Sequence, residues 1–369
     1  MTEVYIAGAS SRARTTKEYL EQLNPNLKVR AFLVSPEMDD NLDIVDGLNV
    51  IKISQNDNID ISAKVYIGTR GINHKKIKKE LIETGFSDEY IIPVTVDLDI
   101  KLRNEYVKKQ YAKIGKQFLK FDDIYTDIDS LSDSRVDKKI NACIYQVSSV
   151  YDGVLADEYE SFPEEKTIQV GAALTEEKLY ANVITDNSGD NISERNRQFC
   201  ELTGLYWIWK NATEDIVGLV HYRRHFLLPK EWVNVFVGAG VDAILPVPLC
   251  VVPSLEENYK SRHLGFIWDK LFDIMNKYHP EDSEKARKYF RENNLYSPCN
   301  MIIAKKQILD EYCEWLFPIL IELTDEIGTI DDPYQNRYPG FLSERLLTYY
   351  FETKREQLKI AYADKNFLQ

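Results

Sequence analysis

The chain has 369 residues, 44% hydrophobic and 28% charged, which supplies apolar material for two buried cores and excludes a disordered or fibrous protein. Its 46 basic and 59 acidic residues leave a net charge of −13, so a broad nucleic-acid-binding surface is excluded and only a local basic pocket is expected. Five scattered cysteines (Cys143, Cys200, Cys250, Cys299 and Cys313) form no Cys-x-x-Cys pair, which argues against a disulfide framework or zinc site and fits a reducing cytoplasm.

Residues 3–7 read as a buried strand that runs into Gly8-Ala9-Ser10-Ser11. A helix over 15–23 follows, then strands at 29–34, 50–53 and 64–67, the last leading into Gly68-Thr69-Arg70-Gly71. A helix over 73–84, closed by Gly85, and a short strand at 91–94 complete the alternation. This order predicts a parallel sheet covered on both faces, a Rossmann-like domain over residues 1–121. Its strand-end glycine lacks the Gly-x-Gly-x-x-Gly fingerprint, and Ser35-Pro36 rather than an acidic residue follows the second strand. A docking or acceptor-binding module is therefore favoured over a redox domain.

Residues 101–121 read as a helix with Tyr106, Tyr111, Ile114, Phe118 and Leu119 as its apolar stripe; 122–139, acidic and rich in Ser and Asp, read as a linker. A second α/β pattern fills 140–369. Strands are expected at 141–147, 167–174, 215–220, 242–245 and 301–304. Helices are expected at 191–210, 255–278, 283–292 and 307–326, with another after Gly340. No internal repeat is visible. No basic segment with a following long apolar run opens the chain, and no apolar run approaches the ~20 residues that span a bilayer.

The richest chemistry lies between Asp186 and Phe226. A polar Asp-Asn-Ser-Gly turn leads to Asn191 and Glu194, spaced as a capping box. The helix that follows carries Ile192, Phe199, Leu202, Leu205, Tyr206 and Trp209 near helical spacing, with Asn196, Glu201 and Lys210 on its other faces. The apolar strand DIVGLV then ends abruptly in His221-Tyr222-Arg223-Arg224-His225. Ligands of open α/β sheets bind at the carboxyl ends of strands, and arginine grips phosphate oxygens bidentately.

A helix with an inward Asn, a strand and then a polar cluster resembles the core of the GT-A glycosyltransferase fold. That fold usually ends this strand in Asp-x-Asp, which holds a metal on the nucleotide diphosphate; here HYRR stands in its place. More specifically, IQVGAAL, DNSGDNIS, CELTGLYWIWKN and GLVHYRRHF resemble an uncharacterised-domain family of capsular and exopolysaccharide gene clusters. Its members are assigned as glycosyltransferases, some of them galactofuranosyltransferases. The likeness continues through YKSRHLGFIWDK, NMIIAKKQILDEYCEWLFPIL and YPGFLSERLLTYYF, and so covers roughly residues 141–351. Such domains commonly carry His-Lys at the end of the first strand, where this chain has Gln146-Val147.

The resemblance implies a GT-A-like domain over 140–369 behind the Rossmann-like one. It implies transfer of a hexose, galactofuranose in some relatives, from a UDP-sugar to a surface-polysaccharide acceptor, lipid-linked and reached from the cytoplasm, with peripheral membrane contact and inversion at the anomeric carbon. Asp186, Asn187, Asp190, Asn196, His221 and Tyr222 would line the donor pocket, and Arg223 and Arg224 would neutralise the diphosphate. With two fixed cations in that place, no cofactor is required, and a divalent metal such as manganese, with His221 as its ligand, is the less favoured alternative. Glu344, read as the first-turn acid of the helix after Pro339-Gly340, is the expected base, and Asp269 the second candidate. His263, Asn300 and Arg345 would face the acceptor. Two other function classes stay open: an NAD(P)-dependent oxidoreductase acting through the N-terminal domain, and a non-catalytic scaffold of a capsule assembly complex.

Overall fold

In a computed structural model of the chain, residues 1–37, 43–54, 59–128 and 140–369 are described. They divide into two compact units, one of residues 1–117 with 250–252 and one of residues 118–249 with 253–369. Of the expected linker, residues 122–128 belong to a helix that begins at Phe121, and 129–139 lie outside the described residues. No helix of the described residues is long and apolar enough to cross a membrane.

The first unit contains strands β1 (Thr2–Ala7), β2 (Leu27–Val34), β3 (Ile44–Val45), β4 (Leu48–Lys52), β5 (Lys64–Ile67) and β6 (Ile91–Pro93) in the order β3-β4-β2-β1-β5-β6. All pairings are parallel except β3 with β4. Buried on both faces, β1 and β2 read as continuous apolar runs rather than alternating ones. Helices α1 (Ser11–Leu23), α2 (His74–Thr84) and α3 (Val96–Lys113) accompany the sheet. Gly85, in the left-handed region at φ 115°, closes α2 as the sequence predicts. The expected helix over 101–121 stops earlier: α3 ends at Lys113 and Ile114 is exposed.

The second unit opens with α4 (Phe121–Ile128), then β7 (Ala142–Ser148), β8 (Glu165–Gln169), β9 (Ile184–Thr185), α5 (Asn196–Phe199), α6 (Leu202–Asn211) and β10 (Ile216–His221). It continues through α7 (Trp232–Gly238), β11 (Ala243–Pro246), β12 (Leu249–Cys250), α8 (Leu255–Arg262), α9 (Gly265–Tyr278), α10 (Pro280–Glu292), β13 (Leu295–Tyr296), β14 (Ile302–Lys305), α11 (Lys306–Ile327), α12 (Tyr338–Thr353) and β15 (Ile360–Ala363). Its main sheet has the order β15-β11-β14-β10-β7-β8-β9. β10, β7, β8 and β9 are mutually parallel, whereas β14 runs antiparallel to both β10 and β11. Trp232, Phe236, Met301, Ile303 and Phe121 pack one core of this unit.

Two expected helices are each broken into a pair. The helix expected over 191–210 is interrupted at Cys200, a non-glycine residue at φ 48°. The one over 255–278 is interrupted at His263 and Leu264. Asn191 does not cap a helix: its Oδ1 accepts from Ser193 N at 3.1 Å, closing a local turn. α6 lies close to the sheet at Gly204, where a Cβ would fall 2.6 Å from Val147 Cγ1 and 3.1 Å from Val170 Cγ1. Gly204→Ala should therefore overpack this contact and lower stability by about 1–3 kcal/mol; urea unfolding should show a lower midpoint with an unchanged m-value.

Candidate active site

The carboxyl ends of β7, β8 and β10 meet at one edge of the main sheet of the second unit and open into a cleft of ≈ 510 Å³. β10 brings His221, Tyr222, Arg223 and Arg224 to it; β7 and its following loop bring Ser148, Ser149 and Asp152. The break between α5 and α6 brings Asn196, Cys200 and Glu201, and Arg337 closes a further side. Three guanidinium groups thus face two carboxylates.

The arginine turn is tightly made. His221 N donates to Arg224 O and Arg224 N to His221 O, both at 3.0 Å, while Tyr222 N donates to Val147 O at 3.0 Å. The C-terminal segment braces it from behind. Leu368 N donates to Arg223 O at 2.9 Å, Asn366 N to His225 O at 3.0 Å, and His225 N to Asn366 Oδ1 at 2.7 Å. The Phe367 ring lies 5.1 Å from the Arg224 guanidinium carbon and 5.8 Å from that of Arg223. Neither guanidinium makes a hydrogen bond or salt bridge with a described residue, although the Arg223 charge acts on Asp152 across the cleft, so both keep donors for an anion. The bracing role of Asn366 and Phe367 left no signal in the sequence.

His221 is tied to the backbone of a neighbouring turn. Its Nε2 lies 2.6 Å from the carbonyl oxygen of Cys299, which can only accept, so Nε2 carries the proton. Burial, with the positive Arg224 and Lys365 nearby, pushes its pKa below the usual value, although Glu201 pulls in the opposite sense. The ring is therefore neutral and serves as a fixed donor. No group of three metal-ligating side chains is assembled among the described residues.

Asn300 lies beside the cleft, two residues before β14. It is 2% exposed; its Nδ2 donates to Glu201 Oε1 at 2.7 Å and to Gly340 O at 3.1 Å, and its buried Oδ1 has no partner. Cys299 and Asn300 both adopt left-handed backbone, at φ 73° and 52°. Such conformations cost about 1–3 kcal/mol each in non-glycine residues and persist where surrounding contacts over-determine them. Glu201 is the functional candidate that sequence reading left among the surface positions of a continuous helix. Only the break at Cys200 aims it into the cleft.

Several expected assignments are corrected. Asp186 is fully buried, and its carboxylate is spent on four donors: Gly171 N at 2.9 Å, Ala172 N at 3.0 Å, Ser193 Oγ at 2.5 Å and Thr203 Oγ1 at 2.6 Å. It holds the turn after β8 and cannot meet a donor sugar. Asn187 and Asp190 are exposed away from the cleft, and Asp190 accepts from Tyr206 OH at 3.2 Å. Asn196 does line the cleft, but its Nδ2 is engaged by Cys200 O and Thr203 Oγ1, and its Oδ1 abuts Gly171, where a Cβ would fall 2.7 Å away. Asp269, 64% exposed and 3.4 Å from Lys260, lies on the outer surface of α9. Arg345 is buried among Tyr259, Tyr296 and Asn258, donating to Asn258 Oδ1 at 3.1 Å and to Phe341 O at 2.7 Å, so it faces no acceptor.

Glu344 is not in a first turn, because α12 begins six residues earlier at Tyr338. Its Oε1 accepts from Cys299 N at 2.6 Å, and burial raises its pKa, with Arg345 and Cys299 N opposing and Glu201 adding to the rise. The carboxylate thus sits behind the cleft and secures the Cys299 turn.

A family model described as "Domain of unknown function (DUF4422)" matches residues 157–355, more than half of the chain. The chain belongs to this family. The DUF4422 match spans the α5–α6 break, the arginine turn, Asn300 and Glu344. Among solved structures, the chain is similar to the apo structure of the bifunctional glycosyltransferase WbbM, with a TM-score of 0.52 and 25% identity over 62% of this chain and 45% of that one. The likeness therefore spans less than half the length of WbbM. No curated protein matches the chain. The fold is α/β, a Rossmann-like unit followed by a GT-A-like unit that carries the DUF4422 region.

His263 sits at the α8–α9 break, stacked on Phe341 at 4.1 Å with Nδ1 3.3 Å from Gln335 Oε1. Burial and the nearby Arg345 charge lower its pKa from 6.5 to about 4. Between those values the unfolded chain binds the proton that the folded one refuses, so stability falls as pH drops from about 6.5 through about 4. His263→Gln should flatten this part of the stability profile, measured by urea unfolding across that window, with little change at neutral pH.

Proposed function

We propose that this protein is a glycosyltransferase that moves a hexose, galactofuranose by the family likeness, from a UDP-sugar to a surface-polysaccharide acceptor. The acceptor is lipid-linked and met at the cytoplasmic face of the membrane by peripheral contact. The observation that carries the reading is the pair of unpaired guanidinium groups, Arg223 and Arg224, held at the end of β10 in a cleft whose opposite side presents Glu201. The similarity to a bifunctional glycosyltransferase supports the same reaction class.

In this reading the diphosphate lies against Arg223 and Arg224, which offset the charge that develops on the leaving group as the glycosidic bond to phosphate breaks. Both side chains are positioned before the donor arrives, by the reciprocal turn bonds and the C-terminal brace. The arginines thus take the place that a divalent cation such as manganese holds elsewhere. The acceptor hydroxyl loses its proton to Glu201 as it attacks the anomeric carbon from the face opposite the diphosphate, which inverts the configuration. Asn300, donating to Glu201 Oε1, orients that carboxylate and leaves its other oxygen to the acceptor.

Calorimetry tests the donor side. UDP should bind the wild-type chain in the presence of a chelator, and Arg223→Ala or Arg224→Ala should weaken binding by about 1.5–3 kcal/mol, the range for a hydrogen bond to a charged group. Unchanged affinity in both variants, or binding that requires manganese, overturns the arginine assignment. Turnover tests the base. Glu201→Gln should retain UDP affinity while the rate falls by about 10²–10⁴. If Glu344→Gln rather than Glu201→Gln shows that split, the base is Glu344, the candidate suggested by the family likeness.

A further inference from the structure

We propose that the N-terminal unit holds a nucleoside monophosphate in a second cleft, formed by the carboxyl ends of β1, β2 and β5. From β1 the chain passes to β2 on one side and later returns to β5 on the other. The two connections leave β1 in opposite directions and open a crevice between them, the place where open α/β sheets receive ligands. Here the crevice measures ≈ 510 Å³, within the range of small-molecule sites.

Its lining is divided into an apolar slot and a polar end. Leu33, Val34, Ile53 and Ile77, each less than a tenth exposed, make a floor suited to a flat base. At the polar end, Arg70 is exposed and its guanidinium makes no hydrogen bond or ion pair with a described residue. Ser10, beside it, gives no side-chain hydrogen bond to α1. Gly8, at φ 111°, keeps the intervening turn open: a Cβ there would fall 2.8 Å from Thr69 Cγ2. A phosphate set against this turn would meet Arg70, the Ser10 hydroxyl and the first backbone N–H groups of α1, which is thirteen residues long.

The same turn selects one phosphate over a dinucleotide. Residues 8–13 read Gly-Ala-Ser-Ser-Arg-Ala. The second glycine of the dinucleotide fingerprint lets a pyrophosphate touch the backbone, and here Ser10 occupies that position. Glu37 adds the remaining contact. It lines the crevice three residues beyond β2, and its carboxylate, 2.6 Å from Lys76 Nζ, can accept from the hydroxyls of a ribose. An acidic residue thus stands on the β2 side although Ser35-Pro36 directly follows the strand.

Titration calorimetry on the full chain tests this, with AMP, UMP, NAD and inorganic phosphate as probes and Arg70→Ala, Glu37→Gln and Arg224→Ala as variants. Arg70 and Glu37 are exposed, and equal melting temperatures would confirm that their variants fold. The expected result is a mononucleotide that binds more tightly than phosphate or NAD, loses tenfold or more in affinity in Arg70→Ala and several-fold in Glu37→Gln, and keeps its affinity in Arg224→Ala. No mononucleotide binding at millimolar concentration overturns the proposal. So does binding that Arg224→Ala abolishes and Arg70→Ala leaves intact, which places the nucleotide in the other cleft. Phosphate binding as tightly as any mononucleotide overturns the nucleoside part, and tighter binding of NAD overturns the choice of a single phosphate.

Discussion

The bond from His221 Nε2 to the carbonyl of Cys299 ties the end of β10 to a turn that its two residues would not adopt unaided. Cys299 and Asn300 both carry left-handed backbone, and neither is glycine. Four contacts hold them there: His221 on the Cys299 carbonyl, Glu344 on the Cys299 N–H, and Glu201 and the Gly340 carbonyl on the Asn300 amide. The strain is thereby spread over residues from β10, α12 and the α5–α6 break. Any one of these segments, if shifted, would release the turn and move Glu201 with it. The geometry of the cleft is in this sense a single mechanical unit, and a free energy of folding is partly stored in it.

Electrostatics follow from that closeness. His221 is driven toward its neutral form and Glu344 toward its protonated one, in both cases first by burial. Both groups hold the turn by hydrogen bonds, His221 donating to the Cys299 carbonyl and Glu344 accepting from the Cys299 N–H. The charges that remain at the surface of the cleft are those of Arg223, Arg224 and Arg337 against Glu201 and Asp152. A dianionic ligand entering this site meets fixed cations, and the field at the opposite carboxylate is not diluted by a charged histidine. The aromatic face of Phe367 supports the arginines without neutralising them, as a carboxylate in its place would.

What could be read from the sequence followed the range of the physics. The apolar run 216–220 broken by His221-Tyr222-Arg223-Arg224 marks a strand end by local pattern alone, and the arginines do stand at the cleft. Asn300, polar at the mouth of an apolar strand, is likewise visible. Glu201 is not, because the break that exposes it occurs at Cys200 without glycine or proline, and its φ of 48° is imposed by tertiary contacts such as Arg337 Nε on Cys200 Sγ at 3.1 Å. Asp186 misleads for the converse reason. Asp-Asn-Ser-Gly has the composition of a solvated turn, and nothing local shows that two hydroxyls and two amides from distant residues converge on its carboxylate. Asp269 and Arg345 depend on helix phase, which turns the first outward from α9 and the second into the core. β15, residues 360–363, gives no sequence signal of its own, because so short a strand is placed by distant partners, β11 on one side and Leu119 and Lys120 on the other.

The direction of β14 explains why these particular segments meet. In a wholly parallel sheet, the turn that enters a strand lies at the edge opposite the carboxyl ends, so it could not share a site with them. β14 runs antiparallel to β10, with Ile302 opposite Leu219 and Lys305 opposite Ile216. Its entrance, Cys299-Asn300, is therefore delivered to the edge where β7, β8 and β10 end. β11 and β15 run parallel to each other and antiparallel to β14, so β15 also ends at this edge, and the chain leaving it at Asp364 passes directly behind the arginine turn. One reversed strand thus accounts for the strained turn in front of His221 and lets the C-terminal segment brace Arg223 and Arg224 from behind. A sheet of the same residues with β14 parallel would retain the arginines at its edge and lose both the carboxylate opposite them and the contacts that hold it.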